Sequence, residues 1–174
     1  MLESGPACTM RASTIFFVQI AFTTIAYAAV YWFLIRDPLK QLPARTAISI
    51  LFVPQLFRHL GFSALSSELV EPPEFATFTG TVFTIGDAVL LALSYAALAA
   101  LYRRWRTARI ICWLFVLAGI GHDVAVTFSL GSAPRRVLEE FGGHYYAATF
   151  FIPLLVLTHL LILVYLRERG HELP

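Results

Sequence analysis

Residues 78–102 read F-T-G-T-V-F-T-I-G-D-A-V-L-L-A-L-S-Y-A-A-L-A-A-L-Y, an apolar run in which Asp87 is the one charged side chain. The run does not alternate apolar and polar residues, so it is not a half-exposed strand. Its 25 residues exceed the roughly 20 that an α-helix needs to cross a hydrocarbon core of about 30 Å. Working outward, 13–35, 46–65, 107–130 and 145–166 have the same character. A continuous helix satisfies its own backbone in lipid, so the expected fold is all-α, an integral membrane bundle of five transmembrane helices.

The breaks between these runs carry turn chemistry: Arg36-Asp37-Pro38 and Pro43, Pro72-Pro73, then Gly131 with Gly142-Gly143. There is no internal repeat and no low-complexity segment, so residues 1–174 read as one bundle. The composition agrees. Apolar residues make up 58% and charged residues 14%, with a mean hydropathy of +0.71, against roughly 45–50% and about 25% in soluble domains. This balance excludes a disordered chain, a collagen, a disulfide-stapled secreted module and a basic nucleic-acid binder; membrane lipids are the expected surroundings.

Orientation follows from where the 13 basic residues fall. Arg36, Lys40, Arg45, Arg103, Arg104, Arg106, Arg109, Arg167 and Arg169 share one side, Arg11, Arg135 and Arg136 the other, and Arg58 lies inside a span. The N-terminus is therefore expected outside and the C-terminus in the cytoplasm. Tyr31, Trp32, Tyr102, Trp105 and Tyr165 collect at the expected cytoplasmic ends, and Tyr145 and Tyr146 at the outer interface. Residues 1–12 lack the apolar core of a cleavable signal, so the first span is expected to persist as an anchor. Glu68, Glu71 and Glu74 make the second loop acidic, and 134–141 (P-R-R-V-L-E-E-F) reads either as a short amphipathic lid or as an exposed turn. Cys8 and Cys112 are expected on opposite sides of the membrane, which disfavours a disulfide between them.

The informative residues are the polar ones inside spans, because a charge near the bilayer centre costs roughly 2.5–3.5 kcal/mol even on insertion scales. They are Gln19, Gln55, Arg58, His59, Asp87, His122, Asp123 and His159. At a rise of about 1.5 Å per residue, Gln19, Arg58, His59, Asp87, His122 and Asp123 come to about 9–13 Å from the outer ends of their helices, and His159 to about 21 Å. Antiparallel segments thus bring most of these groups to one layer. At α-helical spacing Gln55, Arg58, His59 and Phe62 form one stripe, as do Thr149, Ile152, Val156 and His159, while Asp87 and Ser94 share a face. Ala88, Ala92, Ala96 and Ala100 form a ridge suited to close helix packing. Arg58 is expected to pair with Asp87, Asp123 or both, with His59 and His122 on the remaining oxygens.

Phe57-Arg58-His59-Leu60-Gly61, Gly86-Asp87, Asp123, Ile152-Pro153 and Thr158-His159 together resemble a group of small multi-pass bacterial membrane proteins. The likeness covers residues 50–168 and implies a bacterial plasma membrane, with no activity, cofactor or substrate attached. Glu71-Pro72-Pro73, the acidic residue of the next span and Trp105-Arg106-Thr107 resemble the EXPERA group of sterol isomerase and sigma-2 receptor relatives. That group's first-helix acidic residue has no counterpart here, where Arg58 and His59 stand instead. Pro54-Gln55 matches the dipeptide of PQ-loop transporters without their three-helix repeat.

Several functions fit the polar layer. In one, Gln19, Gln55, Arg58, His59, Asp87, His122, Asp123 and His159 line an outer-half pocket for an apolar or amphipathic small molecule. In another, the chain is an intramembrane acid–base enzyme, such as a lipid isomerase, with Asp87, Asp123 and His122 as the catalytic candidates. A third is an accessory subunit or homo-oligomer within a larger membrane complex. The cluster alternatively does nothing beyond setting helix register. No metal-ligand spacing is present. His59 and His122 are the pair at matching depth for a haem, which is not the expected cofactor beside so many charges; no cofactor is expected.

Overall fold

In a computed structural model of the chain, helices follow one another from Ala7 to Glu172. The structure describes the backbone of residues 7–65, 73–131 and 142–173, and the side chains of 14–59, 83–129, 131 and 149–173. Helix α1 (Ala7–Val30) passes through a π turn (Tyr31–Ile35) into α2 (Arg36–Gln41). Then come α3 (Ala44–Phe52), a 3-10 segment (Val53–Leu65), α4 (Pro73–Tyr102), α5 (Ala108–Gly131), α6 (Gly142–Arg169) and a closing 3-10 turn (Gly170–Glu172). No strand occurs among the described residues. The acidic loop at Glu68 and Glu71 and the segment 134–141 lie outside the described residues, as do the side chains of Cys8, Glu74, Tyr145 and Tyr146.

Four helical stretches are long and apolar enough to cross a membrane: Thr14–Gln41, Phe83–Tyr102, Ala108–Ser129 and Thr149–Glu172. They coincide with four of the five expected spans. The remaining one, 46–65, is not a continuous α-helix but nine residues of α3 followed by the 13-residue 3-10 segment. Pro54 supplies the reason. It has no N–H for the Ile50 carbonyl, so the α-helical ladder stops there. The Val53 N–H turns back to the Ile50 carbonyl, a bond of 3-10 spacing, and the chain continues in the tighter form.

The hairpin between α4 and α5 closes in a Schellman arrangement. The Trp105 N–H reaches the Ala100 carbonyl at 2.9 Å and the Arg104 N–H the Leu101 carbonyl at 3.4 Å. Arg104 occupies the left-handed position of that motif, at φ 55°, where glycine is the usual residue. At the same end of the bundle the Arg169 guanidinium donates to the Lys40 and Leu42 carbonyls at 3.3 and 3.0 Å, satisfying acceptors that the end of α2 leaves open. Glu172 holds that guanidinium from the other side at 2.7 and 2.9 Å.

Helix α6 is central, packing against α1, α3, α5 and the 3-10 segment, while α4 lies between α5 and the 3-10 segment. Helix α1 leans on α6 and turns large apolar side chains outward, with Phe22 72% and Ile25 68% exposed. A soluble protein rarely leaves such a surface uncovered; a lipid-facing helix presents it as a matter of course.

The buried apolar residues form two clusters. The larger gathers Phe52 on α3, Leu90 and Ala97 on α4, Phe115 and Val116 on α5, and Ile162 on α6. The smaller gathers Phe16 on α1, Val126 on α5 and Ile152 on α6, with Phe83 of α4 and Val156 of α6 against it. Along α4, α5 and α6 alike, the chain passes from one cluster to the other, and Asp87, His122 with Asp123, and His159 lie at the crossing. The small residues that allow α4 and α5 to approach closely are Ala97, Ala100 and Ala108, all fully buried. The expected ridge at Ala88, Ala92 and Ala96 is instead half-buried to exposed. The inward face of α4 follows Asp87, Leu90, Ser94, Ala97 and Leu101, one step around the helix from that ridge.

Candidate functional site

The tightened backbone after Pro54 decides which side chains of this segment turn inward. A 3-10 helix has three residues per turn, so residues three apart lie one above the other. Gln55 and Arg58 meet this condition, and Arg58 Nε donates to Gln55 Oε1 at 3.1 Å. His59, expected on the same stripe, is rotated by about a third of a turn. It is exposed, with Nε2 2.8 Å from the Tyr95 hydroxyl.

Arg58 is the hub of the site. Its Nη1 donates to Asp87 Oδ1 at 2.6 Å and its Nη2 to Asp123 Oδ1 at 2.7 Å, so one guanidinium joins the 3-10 segment to α4 and α5. Each carboxylate then has an imidazole beside it. His122 Nε2 lies 3.2 Å from Asp87 Oδ1, and His159 Nδ1 lies 3.2 Å from Asp123 Oδ2. The result is a chain across the bundle: His122, Asp87, Arg58, Asp123, His159.

The two halves of that chain differ. On the α6 side everything is enclosed. Gln55 Nε2 spends its two hydrogens on Thr158 Oγ1 at 2.6 Å and the Leu155 carbonyl at 3.1 Å. His159 Nδ1 is also 2.8 Å from the Leu155 carbonyl, and its single hydrogen goes to that nearer acceptor. This leaves Asp123 Oδ2 and His159 Nε2 buried without a hydrogen-bond partner among the described residues. The His159 ring stacks on Phe115, centroids 4.7 Å apart and planes inclined by 22°. On the α4 side the network reaches its edge: the Asp87 side chain is 13% exposed and that of His122 9%, against 3% for Asp123. Both donors to Asp87 fall on Oδ1, and no donor among the described residues reaches its Oδ2.

Two glycines make room for the imidazoles. A Cβ at Gly119 would collide with the Nε2 edge of the His159 ring, and one at Gly86 would stand 2.5 to 3.0 Å from three atoms of the His122 ring. Neither Gly119 nor Thr158 stood out as a site residue in the sequence. The available signal was that Gly119 precedes Asp123 by four residues, on the same helical face.

Two further expectations are corrected. His159, placed by its position along α6 about 11 Å deeper than His122, belongs to the network. Counting along a helix gives height only when the helices share a starting plane and run along the membrane normal; a 28-residue α6 is longer than the bilayer is thick. Gln19 is not brought to the network by any described contact: its Oε1 is buried on α1 with no hydrogen-bond partner among the described residues. His59 and His122, the histidines of matching expected depth, make separate contacts, His59 with Tyr95 and His122 with Asp87. No group of three or more His, Cys, Asp or Glu side chains suited to a metal ion occurs among the described residues.

The fold and the site together define a class: an all-helical chain with four helices long and apolar enough for a membrane, holding an ionic network between two apolar clusters. Residues 15–167 match the family described as Domain of unknown function (DUF8737), and the chain belongs to that family. The match takes in the first span as well as every residue of the network, from Gln55 to His159. No curated protein and no solved structure matches the chain.

Proposed function

We propose that this chain is a multi-pass protein of a bacterial plasma membrane that binds an apolar or amphipathic small molecule at an outer-half polar site. In this reading the chain crosses five times, with its N-terminus outside and its C-terminus in the cytoplasm. The fifth crossing is α3 with the 3-10 segment, whose nine and 13 residues amount to a contour of about 40 Å. The outer placement is supported by Asp87 lying nine residues from the Phe78 end of its apolar run and 15 from the Tyr102 end, and by the basic residues grouped at the opposite ends of the helices.

The asymmetry of the network carries the reading. A cluster serving register alone would be sealed at both ends. Here the α6 side is closed by Gln55, Thr158 and Leu155, while on the other side the Asp87 and His122 side chains keep 13% and 9% exposure and Asp87 has an oxygen to spare among the described residues. A polar head placed there would meet a fixed carboxylate and an imidazole, with apolar helix surface alongside for its tail. Arg58, Gln55, Asp123 and His159 hold that edge in place. Native mass spectrometry of the purified protein after exposure to a total membrane lipid extract tests this. Retention of a small molecule by the wild type, lost in Asp87→Asn and His122→Gln, is the expected result; equal retention by folded variants, or none by the wild type, refutes it.

A second reading has one observation in its favour. An imidazole 3.2 Å from a carboxylate is the pairing that acid–base catalysis uses, with Asp87 as base and His122 as acid on a bound lipid. Isomerised or hydrolysed lipid in the same extract, dependent on both residues, would select it.

A further inference from the structure

The charges of the network do not cancel. Arg58 brings one positive charge and faces two carboxylates, Asp87 and Asp123, at 2.6 and 2.7 Å. Counted over these three side chains, one negative charge is left without a partner. Two observations on oxygen atoms agree with that sum. Asp123 Oδ2, on a side chain only 3% exposed, receives no guanidinium hydrogen and has only His159 Nδ1 beside it at 3.2 Å, and Asp87 Oδ2 has no donor among the described residues. The two carboxylates therefore face a single guanidinium, and Asp87 keeps one oxygen to spare.

An excess charge in a low-dielectric bundle is costly, and it is cheapest to neutralise where a counter-charge can enter. Arg58 and the α6 side are enclosed, so the entry point is the Asp87–His122 edge. We propose that the small molecule seated there is a cation: an amine or quaternary ammonium group on an apolar body, with the positive head against Asp87. This inference rests on the binding reading above and adds the charge of the ligand to it. A carboxylate or phosphate head would double the excess charge, and an uncharged head would leave it standing.

Three ten-carbon probes that differ in head charge test the proposal: decyltrimethylammonium, decanol and decanoate. Each is titrated against the full chain in zwitterionic phosphatidylcholine nanodiscs, with empty nanodiscs subtracted. The expected result is a site for decyltrimethylammonium about tenfold or more tighter than for the other two, the size of one charge-assisted contact. Asp87→Asn, which keeps the shape and removes the charge, should abolish that preference. Because the ranking is made within the wild-type protein, it does not depend on any variant folding. Decanol or decanoate binding equally well or better at an Asp87-dependent site would overturn the charge assignment and leave the binding reading in place. A cation preference that survives in folded Asp87→Asn overturns the assignment as well. No probe binding above empty nanodiscs removes the binding reading and this inference together.

Discussion

Gly119 and Gly121 stand two residues apart on α5 and meet opposite surroundings. A Cβ at Gly119 would collide with the Nε2 edge of the His159 ring, whereas one at Gly121 has open space around it. Gly119→Ala should therefore push His159 out of its stack on Phe115 and cost about 1–3 kcal/mol. Gly121→Ala should be neutral or stabilise by up to about 1 kcal/mol through helix propensity. SDS-unfolding midpoints of the two variants check the contrast. Arg58→Ala strands two buried carboxylates at once and should cost about 3–5 kcal/mol in the same assay. At this scale the sequence reads well where chemistry is conspicuous. Arg58, Asp87 and Asp123 stand out because an ionisable group in an apolar run has few places to go. Gly119 does not, since its importance is the absence of a side chain, visible only once His159 arrives from another helix.

Among the elements, the α4–α5 hairpin pairs a good motif with an unfavourable residue. Arg104 sits at φ 55° in a position that suits glycine. Arg104→Gly should relieve about 1 kcal/mol of backbone strain, partly offset by the greater freedom of glycine in the unfolded chain, and raise the thermal midpoint in detergent. The element that sequence periodicity misread is the second span. A period of 3.6 places His59 beside Gln55 and Arg58; the period of three that follows Pro54 keeps the first pair aligned and sends His59 out to Tyr95. Pro54 was visible, but its effect on the next 11 residues is a tertiary matter, settled by the packing of that segment on α4 and α6. By contrast, α4, α5 and α6 were legible almost to their ends, because an uninterrupted apolar helix in lipid leaves the backbone no alternative.

For the whole molecule, two apolar clusters joined through a polar crossing on three helices give the bundle a fixed register. The proposed orientation rests on the distribution of arginine and lysine. In a cysteine-free background, Arg136→Cys should react with a membrane-impermeant maleimide on intact cells, and Arg104→Cys only after permeabilisation. The reverse pattern would invert the topology and place the Asp87–His122 edge on the cytoplasmic side. The overall architecture was legible from composition and run length. The closeness of His159 to Asp123 was not, because it depends on how a long helix is set relative to the others.

The account depends most on one guanidinium binding two helices through their carboxylates, and a double-mutant cycle between Arg58 and Asp123 measures that directly. Unfolding free energies in SDS would be compared for the wild type, Arg58→Met, Asp123→Asn and the double variant. Side chains 2.7 Å apart should show a coupling of about 2–3 kcal/mol, with the double variant more stable than the sum of the single losses predicts. Losses that add to within about 0.5 kcal/mol would mean that the two residues do not interact, and the network would not exist as described.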